Sequence, residues 1–164
     1  MSVRITRFTL RHLRRILEIE SEVFPEDAYS REMFLDLYED CGDLFFIAHS
    51  NGTVAGYSVT CASKRKAELV SIGVDRRSRG KGIGSALLAR TIAGLRERGS
   101  SRLELAVRTS NRHAIAFYRR WGFEVVGRAH RYYENGGDAL RMALRLSPEQ
   151  LVQAERSRSR NRQV

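Results

Sequence analysis

The stretch Arg79-Gly80-Lys81-Gly82-Ile83-Gly84-Ser85 carries the most specific chemistry in this sequence. It lies between an apolar segment and a long amphipathic one, where a strand would turn into a helix. Glycines let the backbone come close to a ligand, and a helix start presents unpaired N–H groups at the positive end of a dipole. Together they make a phosphate site. Two familiar phosphate loops are excluded by the residues themselves. No Lys-Ser/Thr pair follows the last glycine, as a Walker loop requires, and Ser85 stands where a dinucleotide fingerprint has its third glycine. A tight turn packed with small residues is the structural alternative, with Arg79 and Lys81 as solvated cations rather than phosphate partners.

That turn needs elements to hold it, and the pattern supplies them in the order β-α-α-β-β-β-α-β-α-β-β. A first strand, residues 3–8, precedes a helix with Thr9 as N-cap and Leu13, Ile16, Leu17 and Glu20 at helical spacing. Phe24-Pro25 breaks it, and Ser30 caps a second helix over residues 31–39. Strands at 44–48 and 54–59 flank Asn51-Gly52, a hairpin turn whose two positions tolerate positive φ. A strand at 67–74 leads into the glycine turn and a helix over 82–98, ended by Gly99. Residues 103–107 alternate as a strand; Asn111 caps a helix to Arg120, which Gly122 stops. Segments 123–133 and 139–146 are expected to pair as a last hairpin across Asn135-Gly136-Gly137.

Hairpins joined by helical crossovers predict one α/β domain over residues 1–146, with a mixed, mostly antiparallel seven-stranded sheet and helices on both faces. Residues 147–164 read as a basic tail: a capped helix start at Ser147-Pro148-Glu149-Gln150, then arginine at every second position from 156 to 162, expected to be disordered.

Arg79-x-x-Gly82-x-Gly84 resembles the Gln/Arg-x-x-Gly-x-Gly/Ala motif of the GNAT acetyltransferases. Glu68-Leu69-Val70-Ser71-Ile72-Gly73-Val74-Asp75 is similar to that family's fourth strand. Asn111-x-x-Ala114-x-x-x-Tyr118, followed by Trp121-Gly122-Phe123, is similar to its second cofactor segment. The likeness runs from Glu68 to Phe123 without insertion, and the outer elements keep the family's order. It implies a GNAT fold and transfer of an acetyl group from acetyl-coenzyme A to a primary amine in a ternary complex. It further implies that the amides of Gly80, Lys81, Gly82, Ile83, Gly84 and Ser85 hold the coenzyme A pyrophosphate, with added charge from Arg79 and Lys81. The edge of Ile72, Gly73 and Val74 would pair with the pantetheine arm as an added strand does, and Asn111 would contact that arm.

By the same resemblance Tyr118 stands in the general acid's place. A phenol of pKa about 10 can protonate a thiolate whose parent thiol lies near about 8.5. Glu68 matches a position where several members carry a catalytic glutamate. A second base position, five residues before Asn111, holds Ala106 here, which puts the weight on Glu68, directly or through water. The plainer readings are a core aromatic for Tyr118 and a solvent-facing or paired carboxylate for Glu68.

Two further stretches resemble N-terminal acetyltransferases, in particular bacterial enzymes that acetylate the N-terminal alanine of a ribosomal protein. One is Phe24-Pro25-Glu26-Asp27-Ala28-Tyr29-Ser30; the other is Arg131-Tyr132-Tyr133, before Asp138-Ala139-Leu140-Arg141-Met142. In that group the two loops clamp a peptide N-terminus, which makes Phe24, Pro25, Glu26, Tyr132 and Tyr133 the candidate acceptor contacts. An α-amine, of pKa about 7.7–8.0, costs about 3.4 kcal/mol less to deprotonate than a lysine at about 10.4. A protein N-terminus, with a ribosomal protein as one case, is therefore the expected acceptor. Lysine or small-molecule amines are the alternatives within catalysis; a non-catalytic acyl-coenzyme A sensor or ribosome-binding accessory protein lies outside it. Polyamines suit a strongly basic chain poorly, unless Glu22, Glu26, Asp27 and Glu32 form an acidic cluster.

The bulk properties fit one globular domain: 164 residues, 42% hydrophobic and 29% charged. A net charge of +10 suits an anionic cofactor or an RNA-rich partner, but basic patches interleaved with aromatics are absent, so no sequence-specific nucleic-acid reader is expected. No apolar run approaches the about 20 residues of a membrane helix, and no secretion signal opens the chain, so the cytoplasm is the expected location. Cys41 and Cys61 have no metal or redox spacing. They are expected as small buried thiols in a reducing compartment, with a covalent acyl carrier as the alternative. No metal is expected.

Overall fold

The computed structural model describes residues 2–146, so the tail expected at 147–164 and its helix start lie outside the described residues. The chain runs β1 (Val3–Arg7), α1 (Leu13–Val23), α2 (Arg31–Cys41), β2 (Phe45–Ser50), β3 (Thr53–Ser63), β4 (Lys66–Val74), α3 (Ile83–Glu97), β5 (Arg102–Arg108), α4 (Arg112–Arg120), β6 (Glu124–Ala129) and β7 (Ala139–Arg145). The strands form one sheet in the order β1-β2-β3-β4-β5-β7-β6. Every neighbouring pair is antiparallel except β4 and β5.

Both faces of the sheet are covered, which is why β2 reads as a continuous apolar run rather than an alternating one. Its Phe45 and Ile47 pack with Ile16 and Ile19 of α1 and Phe34 of α2. Its Phe46 and Ala48 point the other way, toward Leu87, Leu88 and Leu95 of α3. Local signals set the element ends. Ser30 accepts from the Met33 amide at 3.2 Å and starts α2. Asn51 and Gly52 take φ of 52° and 79° in the β2–β3 turn. Gly99 (φ 75°) and Gly122 (φ 97°) stop α3 and α4.

One irregularity and one gap shape the middle of the sheet. Thr60 pairs with Leu69 and Val59 with Ser71, so Val70 is an extra residue in β4. The bulge puts Val70 and Ser71 both toward the α1/α2 side, where Ser71 bonds Tyr57. On its other edge β4 pairs with β5 only at Lys66–Arg102, Ala67–Leu103 and Glu68–Glu104. Past that point the two strands part.

The structure corrects three expectations. β3 continues to Ser63 and turns at Lys64 (φ 53°), so the β3–β4 hairpin is longer than its apolar residues indicate. β6 ends at Ala129, and residues 130–138 form a loop, so Tyr132 and Tyr133 are loop residues. That loop is organised by Asp138, whose carboxylate takes the Arg131 amide at 3.0 Å and the Arg128 guanidinium at 2.8 Å.

The third concerns sulfur: Cys41 and Cys61 are joined in a disulfide. The end of α2 packs against β3 and brings the two Cα atoms to 5.1 Å, inside the range a disulfide needs. Neither residue is a free thiol, which removes the acyl-carrier reading and the argument from a reducing compartment. Among the described residues no helix is long and apolar enough to cross a membrane, and no group of three or more His, Cys, Asp and Glu is placed to hold a metal ion.

Candidate active site

The loop after β4 is pinned before it reaches the glycines. The Asp75 amide donates to Ala55 O at 2.8 Å, and its carboxylate pairs with Arg15 at 2.6 Å. Gly80 and Gly82 then take φ of 75° and 79°, a region that favours glycine. The first bond of α3 runs from the Ala86 amide to Gly82 O at 3.0 Å, which leaves the amides of Ile83, Gly84 and Ser85 unpaired in the helix. Arg79 and Lys81 are exposed beside them and have no acidic partner among the described residues. A positive-φ cradle, three free donors and two unpaired cations suit a diphosphate.

Beside this cradle the free edge of β4 runs through residues 69–74. Gly73 is buried there, and a Cβ on it would lie 2.7 Å from Tyr57 Cε1, so the aromatic beneath it requires a glycine. Asn111 sits at the start of α4, where its Oδ1 accepts from the Ala114 amide at 3.2 Å. That oxygen is committed to the cap, which leaves the Nδ2 group for any other partner.

Tyr118 is buried between Phe117 and Phe123, each ring centroid 5.4 Å away, and its hydroxyl has no hydrogen-bond partner among the described residues. Burial, and then the nearby Tyr133, pushes its pKa well above the usual phenol value. It is therefore a weaker acid than a free phenol. It stays protonated at any physiological pH and acts best by donating a hydrogen bond to developing negative charge.

Glu68 occupies the last paired rung before β4 and β5 part, opposite Cys61 on one side and Glu104 on the other. It is exposed and has no ion pair among the described residues. Its neighbour Glu104 is held by Arg102 at 2.6 Å and Lys66 at 3.0 Å. Burial opposes ionisation of Glu104, but these two hydrogen bonds outweigh it and keep its pKa below the usual carboxylate value. A cavity of about 420 Å³ opens here, lined by Glu68, Glu104, Lys66, Cys61, Val126 and Arg141.

The α1–α2 loop and the β6–β7 loop meet at Arg108, which joins them. Its guanidinium takes Asp27 through Nε at 2.5 Å and Nη2 at 2.7 Å, bonds Asn135 Oδ1 at 2.8 Å, and lies 4.2 Å from the Tyr133 ring centroid. Asn135 in turn donates to Glu26 at 3.1 Å. Burial pushes Tyr29 up to about 12, reinforced by Tyr132, Glu20 and Glu68. Burial likewise pushes Tyr133 up to about 12, reinforced by Tyr132 and Asp27. Tyr29 therefore lies within electrostatic reach of Tyr132, Tyr133 and Glu68, and Tyr133 within reach of Tyr132 and Tyr118.

The acidic cluster weighed for a polyamine is broken up, because Glu22 faces Arg76 while Glu26 and Asp27 face Arg108. Phe24 closes α1, its amide bonding Glu20 O at 2.8 Å, and Pro25 is exposed after it.

Two residues of this region have partners that escape sequence reasoning. Arg108 carries no local signal, since its partners come from distant loops. Glu20 is placed by spacing with Leu13, Ile16 and Leu17 of α1, but spacing names no partners for it: it is buried and accepts from Tyr57 Oη at 2.6 Å, Ser71 Oγ at 3.2 Å and the Tyr29 amide. Burial raises its pKa to about 7, with these bonds opposing the shift.

Comparison with known proteins finds relatives both in sequence and in fold. Residues 13–123 match the family described as Acetyltransferase (GNAT) family. The chain is 35% identical over 151 residues to N-alpha-acetyltransferase RimI of Mycobacterium tuberculosis, covering 85% of this chain and 90% of that one. It is 37% identical over 107 residues to the [ribosomal protein bS18]-alanine N-acetyltransferase of Escherichia coli, covering 63% and 72%. Among solved structures, Ard1 from Thermoplasma volcanium superimposes with a TM-score of 0.85 at 27% identity, over 90% of this chain and 99% of that one.

Proposed function

We propose that this chain, which belongs to the acetyltransferase (GNAT) family and is an acetyl-coenzyme A-dependent N-acetyltransferase, acts on the α-amine at a protein N-terminus. The observation that carries the choice of acceptor is the Arg108 clamp. It locks the α1–α2 loop to the β6–β7 loop and so holds Tyr29 within electrostatic reach of Tyr132, Tyr133 and Glu68. Two loops held together in this way suit a chain end rather than a side chain reached across a flat face. Relatives named as N-alpha-acetyltransferases support the same reading. The relative from Escherichia coli makes a ribosomal protein the first acceptor to try.

When bound, acetyl-coenzyme A supplies the acetyl group as a reactive thioester. The amides of Gly80 to Ser85 would hold its pyrophosphate, with Arg79 and Lys81 adding charge. The edge of Ile72, Gly73 and Val74 would pair with its arm, and Asn111 would contact that arm through Nδ2. Tyr118 keeps a proton on its hydroxyl and offers it to the departing sulfur. Glu68 draws the proton from the acceptor amine, directly or through water. Ala106 offers no base, and an α-amine of pKa about 7.7–8.0 demands less of one than a lysine does. Tyr132 and Tyr133 would bond the peptide backbone, while Phe24, Pro25 and Glu26 shape the opposite wall.

Thiol release measured over short peptides with free N-termini, the same peptides blocked at the N-terminus but carrying lysine, and polyamines tests this reading. Turnover confined to free N-termini is expected. Equal rates on blocked lysine peptides would overturn it, and cofactor binding without turnover on any amine would favour a sensor.

A further inference from the structure

The cavity beside Glu68 is electrostatically two-sided. Two of its lining groups are satisfied, since Glu104 accepts from Lys66 and Arg102. Two are not: among the described residues neither Glu68 nor Arg141 of β7 has an ion pair, and the two lie beyond ion-pair distance of one another. Arg141 is exposed and pairs in register with Ala106 of β5, so only a methyl group stands beside it on the sheet. Its guanidinium carbon lies over the Tyr132 ring, 5.8 Å from the centroid. The other cations of this region are occupied, Arg108 by Asp27 and Arg128 by Asp138.

A carboxylate and a guanidinium in one cavity, neither with an ion-pair partner among the described residues, complement a ligand that carries an amine and, a few bonds away, a carboxylate. Guanidinium recognises carboxylate through two parallel donors and stays charged at every relevant pH. We infer that Arg141 is a specificity residue that selects acceptors with an acidic side chain close behind the N-terminal amine. The inference rests on the N-terminal reading above and deepens it. Glu68 serves the amine, and Arg141 reads the carboxylate from the side of the cavity that Ala106 leaves open.

The test uses C-terminally amidated peptides that differ only in Glu, Gln or Lys at the second or third residue. The placed side chain is then the only source of a carboxylate in the Glu peptides. For the wild-type protein, KM for the Glu peptides should be about fivefold below that for the Gln peptides at similar kcat, the size of a good exposed ion pair. Arg141→Ala should level the series, Arg141→Lys should restore part of the preference, and Arg141→Glu should turn it toward the Lys peptides. Arg141 is exposed, so these variants should fold, which circular dichroism confirms or denies. Equal KM across the wild-type series, or an acidic preference that survives Arg141→Ala, would overturn the inference. So would a uniform loss on every peptide, the mark of a residue that merely props Tyr132. Free aspartate and glutamate form a second arm, and better rates on them than on the peptides would overturn the assignment to a peptide side chain. Failure of all peptides would instead remove the N-terminal reading itself.

Discussion

Arg108 at the end of β5 and Asp27 in the α1–α2 loop stand 81 residues apart in sequence and meet through two hydrogen bonds, Nε to Oδ2 at 2.5 Å and Nη2 to Oδ1 at 2.7 Å. Both side chains are about four-fifths shielded from water, at 19% and 21% exposure. A two-pronged pair in that setting holds a shape better than a surface ion pair does.

Removing the clamp should therefore loosen acceptor binding before it touches the chemistry. Arg108→Ala is expected to raise the peptide KM by about tenfold, equivalent to about 1.4 kcal/mol. The KM for acetyl-coenzyme A should not move. Arg108→Lys should rescue little, because an ammonium cannot span both oxygens. Initial rates with each substrate varied in turn decide it.

Tyr118→Phe keeps the ring and deletes a hydroxyl that has no partner among the described residues, so stability should change by less than about 0.5 kcal/mol. Turnover should fall by about 100-fold, with little change in cofactor affinity. Full rate in this variant would end the acid assignment. Because burial raises the Tyr118 pKa, the wild-type rate should also show no loss from its ionisation up to about pH 10.

Glu68→Gln should hurt most where the amine is mostly protonated. At pH 7 an α-amine of pKa about 7.7–8.0 is only about one-tenth neutral, and help in removing its proton matters. Above about pH 9 the amine is neutral unaided and the variant should recover. The pH profile should thus move upward; a profile that matches wild type throughout would discard Glu68 as the base.

Glu20 makes stability depend on pH in an unusual direction. Its pKa is raised from 4.5 to about 7 in the folded state. Between those values the native protein holds a proton that the unfolded chain has lost, so stability falls as pH rises through this window and levels off above it. The ceiling is about 3 kcal/mol. Glu20→Gln should flatten the curve, as urea unfolding at pH 5 and pH 8 will show.

The Cys41–Cys61 link closes a 20-residue separation, for which chain entropy gives about 3 kcal/mol. Melting with and without dithiothreitol should show a lower Tm after reduction, and thiol reagents should label neither cysteine in the untreated native protein.

Features encoded over a few residues were legible in the sequence. Ser30 and Asn111 cap helices as their types require, Asn51-Gly52 turns the first hairpin, and Gly80 and Gly82 take the backbone angles that their lack of a side chain permits. What escaped depends on chain segments far apart. Nothing near Arg108 announces Asp27, and nothing near Cys41 announces Cys61. The extra residue at Val70 is invisible in a run of apolar letters, yet it turns Ser71 toward Glu20. Tyr132 and Tyr133 read as strand because aromatics favour sheets, whereas the Asp138 carboxylate gathers that segment into a loop.

Three rungs join β4 to β5, yet one apolar core runs beneath both sides of that junction, from Phe46 of β2 and Leu87 of α3 to Leu105 of β5 and Met142 of β7. Past those rungs, an extended ligand with amide groups of its own would continue the ladder on the free edge of β4. The Arg108–Asp27 pair spans the same parting further along, so the spacing of the two loops is set by the fold itself rather than by whatever lies along the β4 edge.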